Sequence, residues 1–372
     1  MLAKGYAAPE LESVYLKAQR LGDQVGDTRR LIGASTALWC FYLFGGQLPK
    51  ARAMAEQDLR MASPHTDSRH RVSIHNAIGH TLTAAGELAQ AQRHFEQALT
   101  LYDRHDHRLR VTGVQDYGVT CHGLLASVLW RLGYPDQARH HSQAALSLAH
   151  EVEHPLSLAV AMIWSIMLYR DLRQVPLVLE QAASALALTT DHQFAFWLAQ
   201  GMIYHGWGLG MQGQGEEGIA QMRQGMAVVG AAWAEAERAR YPVMLAEVYG
   251  RAGQTAKGLD ILAEALEQIE DNAYRLDESE RYRLKGELLL QQSGDHQDNA
   301  ETAFHQALAV ARRQQAKSWE LRAAMSLARL WQQQGKRAEA HELLAPVYGW
   351  FTEGFDTADL QEAKALLGEL EG

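Results

Sequence analysis

Residues 77–99 read AIGHTLTAAGELAQAQRHFEQAL, and this stretch contains the unit that recurs along almost the whole chain. The part before Gly86 is an apolar helical segment, here called helix A. The part after Gly86 has apolar residues at i, i+3, i+4 and i+7 and a polar opposite face, which is typical of an amphipathic helix, here called helix B. Two helices joined at a glycine predict a helical hairpin.

The turn of this hairpin recurs at eight positions, separated by 40, 47, 40, 40, 40, 41 and 41 residues. These positions are Gly46, Gly86, Gly133, Arg173, Gly213, Gly253, Gly294 and Gly335. A period of this size indicates hairpins that bury their apolar faces only by stacking on neighbours, and it predicts an all-α, right-handed α-solenoid. Glycine suits the left-handed residue that ends a helix, so Arg173 is expected to mark a different turn geometry.

Small residues recur where the two helices of each hairpin should cross, as at Gly79 and Ala91 of the second unit. Together with the Ala98-Leu99 pair that follows, they resemble the pattern of tetratricopeptide (TPR) repeats. The period exceeds the usual value of about 34, and this longer variant resembles the sensor regions of STAND-class ATPases and maltose-type transcription activators. A narrower resemblance, to the repeat region that follows the ATPase module in bacterial cyclase-type and regulator-type signalling proteins, is carried by residues 134–138, 154–159, 282–289 and 350–357.

The resemblance implies one TPR-like superhelical domain over residues 1–372. Its expected parts are an unpaired N-terminal helix at 8–28, about eight hairpins at 29–349 and a capping helix at 356–370. In proteins of this kind the repeats are a receptor arm that controls an attached effector, so we expect a bacterial regulatory domain for signal transduction. These 372 residues contain no GxxxxGK[ST] phosphate loop, and the chain is expected to be an arm separated from its effector.

The composition, with 47% hydrophobic residues, predicts a cytoplasmic protein, because no apolar run is long enough to cross a membrane and no signal peptide is visible. Cys40 and Cys121 lie in different units and are expected to be reduced thiols. The net charge of −9 makes nucleic acid an unlikely partner for the whole surface. Basic residues do gather in the last unit, where a solvated helix face competes with an anion-binding patch: Arg312, Arg313, Lys317, Arg322, Arg329, Lys336 and Arg337.

Three motifs offer chemistry that the repeat pattern does not need. Residues 150–154 form a literal HExxH, which on one continuous helix would bind zinc beside a general base. Pro155 follows directly and biases His154 away from helical geometry, so a zinc hydrolase is a remote alternative. Two GxGxxG matches at 208–218 would indicate dinucleotide binding only after a strand, and they are interpreted as close packing or a hinge. The His-x-His pair at 105–107 lies in the long connection 103–117, where we expect a solvated loop.

With these motifs set aside, we expect no catalytic residues, no metal and no cofactor, and we look for the function on the inner, concave face. In TPR phase this face is reached by helix A positions about 13, 10, 6 and 3 residues before each turn. The predicted groove residues are Asn76, His80, Thr120, Ser127, Trp130, Met167, Arg170, Gln200, Trp207, Arg240, Glu247, Arg283, Glu287, Arg322 and Arg329. Arginine can fork onto a carboxylate, asparagine can hold a peptide backbone, and tryptophan supplies apolar area, so the set has the chemistry of a recognition groove.

Three functions remain open. The first is a regulatory module whose groove binds a peptide, a protein partner or the effector domains of its own parent protein. The second is a small-molecule sensor, for which a compact closed pocket near Trp207 would be the distinguishing feature. The third, the zinc hydrolase, fails if His150 and His154 lie apart.

Overall fold

The computed structural model describes residues 9–25, 28–62, 66–103, 115–232, 235–292 and 296–371, and within these ranges the chain forms 18 α-helices and no strand. The helices are, in chain order, α1 (Pro9–Val25), α2 (Thr28–Phe44), α3 (Leu48–Met61), α4 (Ser68–Ala84), α5 (Leu88–Leu101), α6 (Tyr117–Leu132), α7 (Pro135–Val152), α8 (Pro155–Asp171), α9 (Val175–Asp191), α10 (Ala195–Met211), α11 (Gly215–Ala232), α12 (Glu235–Arg251), α13 (Thr255–Asn272), α14 (Glu278–Gln292), α15 (Gln297–Gln314), α16 (Lys317–Gln333), α17 (Arg337–Tyr348) and α18 (Ala358–Glu371).

Helices α2 to α17 pair into successive hairpins, each consisting of an even-numbered helix A and the odd-numbered helix B that follows it. Every helix A also packs on the helix A of the next unit, so the A helices form the inner layer of an α-solenoid. Helix α8 shows why they are inside, because 13 of its 17 residues are buried and most of these are apolar. Helix α5 buries only one stripe, which is the behaviour of an outer helix. At the ends of the described chain, α1 packs on α2, and α18 packs on α16 and α17.

The turns between paired helices share one backbone geometry. Six of the predicted turn glycines have φ between 69° and 96°, and Gly294 lies outside the described residues. Arg173 has φ 61° and makes the same two hydrogen bonds as the glycines: its N–H donates to Arg170 O, and the N–H of Gln174 donates to Tyr169 O. The expectation of a different turn at Arg173 is therefore wrong. This unit keeps the common turn and holds a non-glycine residue in the left-handed region.

Small residues do mark the helix crossings. A Cβ atom added at Gly79 would lie 2.7 Å from the ring of Phe95, and one added at Gly218 would lie 2.4 Å from the carbonyl oxygen of Gly206. The glycine-rich segment 208–218 therefore brings the backbones of α10 and α11 together. It is preceded by helix α10, not by a strand, so it does not have the context of a dinucleotide-binding turn.

The solenoid curves until its first units meet its last units. Helix α6 packs on α16 and α2 packs on α12. The backbone N–H of Arg275 donates to Ala84 O at 2.8 Å, and Ser318 Oγ donates to the carbonyl oxygen of Trp130. On the outer rim, Glu353 accepts from the N–H groups of Asp136 and Gln137 at 2.9 and 3.1 Å, at the start of α7. The inner face is consequently partly covered by the molecule itself.

None of the described helices combines the length and the apolarity that a bilayer span requires. Cys40 and Cys121 are both free thiols, and burial raises their pKa, that of Cys40 to about 12. Of the connection 103–117, residues 104–114 are outside the described ranges, and so is the predicted His-x-His pair.

Candidate functional site

A cavity of about 300 Å³ lies on the inner side of the solenoid, between A helices of the fourth to eighth units and α18. Its apolar wall includes Trp207 and Met211 on α10 and Met244 on α12. Most of the remaining wall is charged, with six arginines and seven carboxylates among the lining residues. The charged residues are Arg170, Arg173, Arg251, Arg283, Arg322, Arg329, Asp171, Glu247, Asp277, Glu280, Glu287, Asp359 and Glu362.

Seven of the fifteen predicted groove residues line this cavity, and they come from five consecutive A helices. They are Arg170, Trp207, Glu247, Arg283, Glu287, Arg322 and Arg329. Whether they contact a ligand stays a prediction.

Seven of the other predicted groove residues lie outside this cavity. Six are buried between helices: Asn76, Thr120, Ser127, Trp130, Met167 and Gln200. Their polar groups serve local structure, as when Thr120 Oγ1 donates to Asp116 O at 3.0 Å. His80 packs edge-on against Trp39 and Trp164. The side chain of Arg240 is outside the part of the chain whose side chains are described.

Arg283 forms the centre of the charge network on α14. Its guanidinium binds both carboxylate oxygens of Glu280, at 2.6 and 2.7 Å, and also bonds to Glu287. Ser326 on α16 donates to Glu287 at 3.0 Å. Burial alone would lower the pKa of Arg283, but the two carboxylates outweigh it, so that the pKa lies well above its ordinary value. Arg283 is therefore a fixed cation whose partners are already in place.

A second cluster joins the inner face to the first units. Arg131, on α6, has no exposed surface and lies 3.1 Å from Asp277 and 3.4 Å from Asp171. Asp171 also pairs with its neighbour Arg170. Burial tends to lower the pKa of Arg170, but the charge of Asp171 dominates and the pKa is raised. These residues bind α6, α8 and the start of α14 together.

A third cluster involves the terminal helix. Arg322 Nε donates to Asp359 at 2.8 Å, and Arg173 lies 3.2 Å from the same carboxylate. Glu362, one turn further along α18, pairs with Arg173 at 2.7 Å and with Arg329 at 3.0 Å. Helix α18 therefore closes the cavity with two carboxylates, although the sequence predicts only a cap there.

Glu247 differs from the other carboxylates of the cavity. Its Oε2 accepts from Trp207 Nε1 at 2.8 Å, whereas each of the other six carboxylates has an arginine nitrogen within 4.0 Å. Burial raises the pKa of Glu247 and the charge of Glu280 adds to the shift, whereas the Trp207 hydrogen bond and the charges of Arg283 and Arg170 oppose it. Glu247, which is half-buried, is thus the one carboxylate among the described lining residues that has no arginine nitrogen within 4.0 Å.

The sequence pattern predicts four of the six cavity arginines, without Arg173 and Arg251, and it does not predict most of their partners, namely Asp171, Asp277, Glu280, Asp359 and Glu362. One signal was available: buried arginines need carboxylates, and these acids lie at the ends of A helices or on the last helix. Which acid pairs with which arginine depends on which turns of the solenoid meet, and the repeat pattern does not give this.

The backbone geometry argues against a zinc site at residues 150–154. Helix α7 ends at Val152, Glu153 is left-handed with φ 52°, and His154 is the N-cap of α8. The imidazole of His154 accepts from the N–H of Ser157 at 3.3 Å. His150 and His154 are therefore not on one helix, and no cluster of three or more metal-ligating side chains occurs among the described residues.

The basic run of the last unit is largely neutralised. Arg312 and Lys317 both bind Glu320, at 2.9 and 2.7 Å, and Arg313 binds Glu278 at 2.8 Å. Arg322 and Arg329 belong to the cavity network described above. Five of its seven cations therefore have carboxylate partners, which weakens the case for an anion-binding patch.

No protein-family model matches this sequence, and no curated protein is similar to it in sequence. Solved structures do resemble its fold. NprR in complex with its cognate peptide NprX is 11% identical, with a TM-score of 0.58 over 91% of this chain and 97% of that chain. A Rap protein complexed with competence and sporulation factor is 12% identical, with a TM-score of 0.56 over 91% and 97%.

The APC/C hetero-tetramer Cut9-Hcn1 is 14% identical, with a TM-score of 0.54 over 88% of this chain and 53% of that chain. These are TPR-like helical repeat structures, and the fold of this chain is of the same kind. Identities this low establish the fold alone. A fold found both in peptide complexes and in a subunit assembly leaves the choice of ligand to the site.

Proposed function

We propose that the chain is a non-catalytic regulatory module that recognises a short peptide, or an extended segment of a partner protein, at the inner cavity. The observation that supports this is the convergence of seven predicted inner-face residues, from five A helices, on one cavity. The wall combines many charged groups held in ion pairs with an apolar area from Trp207, Met211 and Met244, so it can fix the orientation of a ligand as recognition pockets do. The similar NprR structure contains its cognate peptide NprX, and the similar Rap structure contains competence and sporulation factor, which agrees with the proposal.

A second function, the small-molecule sensor, is favoured by a specific observation. The cavity lies beside Trp207, as that hypothesis requires, and its volume of about 300 Å³ is at the small end of ligand pockets. A cavity of this size has room for one or two side chains of a peptide, or for one compact metabolite. In either case we propose a cytoplasmic signalling arm that controls an effector of the STAND ATPase, cyclase or transcription-regulator kind.

The experiment is a selection of seven-residue peptides displayed on phage against the immobilised chain, followed by calorimetry with the enriched sequences. Trp207→Phe removes the indole donor but keeps a ring, and Arg329→Ala removes a guanidinium that is 44% exposed at the cavity. We expect each variant to weaken binding about tenfold or more. Arg52→Ala, which removes a 41% exposed arginine on α3, is the matched control and should bind as the parent does.

Enriched peptides whose affinity is unchanged by both cavity variants would contradict the site. No enriched peptide, together with a copurified small molecule seen by native mass spectrometry, would favour the sensor instead.

A further inference from the structure

Among the described residues that line the cavity, all but two of the charged side chains have an ion-pair partner within 4.0 Å. Six of the seven carboxylates that line the cavity have an arginine nitrogen within 4.0 Å, and five of the six lining arginines have a carboxylate oxygen at that distance. The remaining arginine, Arg251, is exposed. The remaining carboxylate, Glu247, is turned inward on α12.

An anionic ligand gains little from such a wall. To reach Arg283 or Arg322 it would have to displace a carboxylate that already binds them, and the displaced carboxylate would then be buried without a partner. A neutral ligand could form hydrogen bonds but would not provide the missing charge. A cation faces neither obstacle at Glu247, because no guanidinium must move to make room.

The surroundings of Glu247 suit an organic cation. Its Oε2 accepts from Trp207 Nε1 at 2.8 Å, the residue lines the cavity, and Oε1 accepts no hydrogen bond within the described part of the chain. Trp207, Met211 and Met244 supply apolar wall on α10 and α12. Because Glu247 is half-buried and has no ion-pair partner within 4.0 Å, a cation bound here gains a charge-assisted contact in a site where solvent screens it less than at an open surface.

We infer that the cavity takes its ligand by a cationic group, an ammonium or a guanidinium on a short aliphatic stem, which pairs with Glu247 while the stem lies against Trp207, Met211 and Met244. The inference rests on the proposed function and adds the chemical class of the recognised group. For a peptide ligand, that group is an arginine or lysine side chain or the free N-terminus.

The test uses butylguanidinium and its neutral isostere butylurea as probes of the full chain. Binding is followed by the indole N–H signal of Trp207 in two-dimensional NMR, assigned by its loss in Trp207→Phe. We expect a saturable shift with butylguanidinium and binding at least tenfold weaker with butylurea.

Glu247→Gln keeps the shape and an acceptor for the indole but removes the charge, so it should abolish the preference for the cation. Glu56→Gln is the matched control, because Glu56 lies on α3, away from the cavity, and pairs with Arg52. It should leave the preference in place. Unchanged indole signals from the other tryptophans verify that each variant is folded.

Equal binding of the two probes by the parent chain would overturn the inference, even if Glu247→Gln failed to fold. Retained cation preference in folded Glu247→Gln would overturn it as well. If selected peptides bind at the cavity but contain no required cation, this inference fails and the proposed function stands. If butylguanidinium binds at Glu247 and no peptide is ever selected, the peptide function fails and the cation site stands.

Discussion

Replacing Arg131 by methionine tests how firmly the first and last units of the solenoid are joined. The guanidinium of Arg131 lies 3.1 Å from Asp277, which is 146 residues away in sequence, and 3.4 Å from Asp171. It also donates to the carbonyl oxygen of Ser127 at 3.1 Å. Methionine preserves most of the aliphatic length and removes only the charge and the donors.

The expected loss follows from burial. The side chains of Arg131, Asp171 and Asp277 are 1%, 1% and 5% exposed, so solvent cannot replace the lost cation. Removing one partner of a buried ion pair costs about 3–5 kcal/mol. Because Asp171 keeps Arg170, we expect a loss in the free energy of unfolding near the lower end, about 3 kcal/mol.

Urea unfolding followed by circular dichroism measures the global effect, and hydrogen exchange locates it, since repeat arrays need not unfold in one step. Exchange should increase in α6 and at the start of α14, which the ion pair connects. Arg52→Met is the control, because the Arg52–Glu87 pair is 41% and 31% exposed and should contribute less than about 1 kcal/mol. A loss below 1 kcal/mol for Arg131→Met, with unchanged exchange in both helices, would refute the reasoning.

Three further predictions concern single sites. Gly218→Ala places a Cβ 2.4 Å from the carbonyl oxygen of Gly206, so urea unfolding should show a loss of about 1–3 kcal/mol in the free energy of unfolding. Gly368→Ala, where a Cβ meets no atom within 4 Å, is the control and should stabilise the protein by up to about 1 kcal/mol. Equal effects of the two substitutions would contradict the packing argument. Burial raises the pKa of Asp58 to about 6, above its unfolded value, so the stability of the protein falls as the pH rises from about 4 to 6. In urea unfolding, Asp58→Asn should be more stable than the parent by up to about 3 kcal/mol at pH 7.5 and should lose this advantage at pH 4. Glu353→Ala removes the acceptor for the N–H groups of Asp136 and Gln137 at the start of α7. Hydrogen exchange of these amides should become faster, and the free energy of unfolding should fall by about 1 kcal/mol. Unchanged exchange would show that this contact is not formed in solution.

The repeat rhythm was sufficient to predict the all-helical solenoid, because a turn glycine and small crossing residues report on local geometry that each hairpin needs. Arg173 shows the limit of this reasoning. A left-handed arginine is locally unfavourable, yet it lies where its guanidinium pairs with Asp359 and Glu362 from α18. Tertiary contacts of this kind are invisible in one repeat, so the local preference predicted the wrong turn.

The candidate site was predictable in its later units and not in its earlier ones. Helix phase placed Arg283 and Glu247 on the inner face, where the cavity is. The same phase also selected Asn76 and Thr120, which are buried between helices, where Asn76 accepts from the thiol of Cys121 at 3.5 Å and Thr120 donates to Asp116 O. The period of a repeat fixes which face points inward, but the curvature that makes one turn meet another depends on small rotations at every interface.

The same side chains that line the cavity also join the two ends of the solenoid. Arg322 bonds to Asp359 on α18 and to the carbonyl oxygen of Asp171 at the end of α8, and Asp277 binds Arg131 on α6. A variant at any of these positions would alter the joining of the units and the ligand site together, so weaker binding alone would not identify a contact. Glu247 and Arg329 take part in no described bond between the first and last units, and their partners are Trp207 and Glu362. Variants at Glu247 and Arg329 should therefore lose ligand binding and keep their stability, whereas Arg131→Met should lose stability. These two results together would separate ligand recognition from the contacts that join earlier and later units.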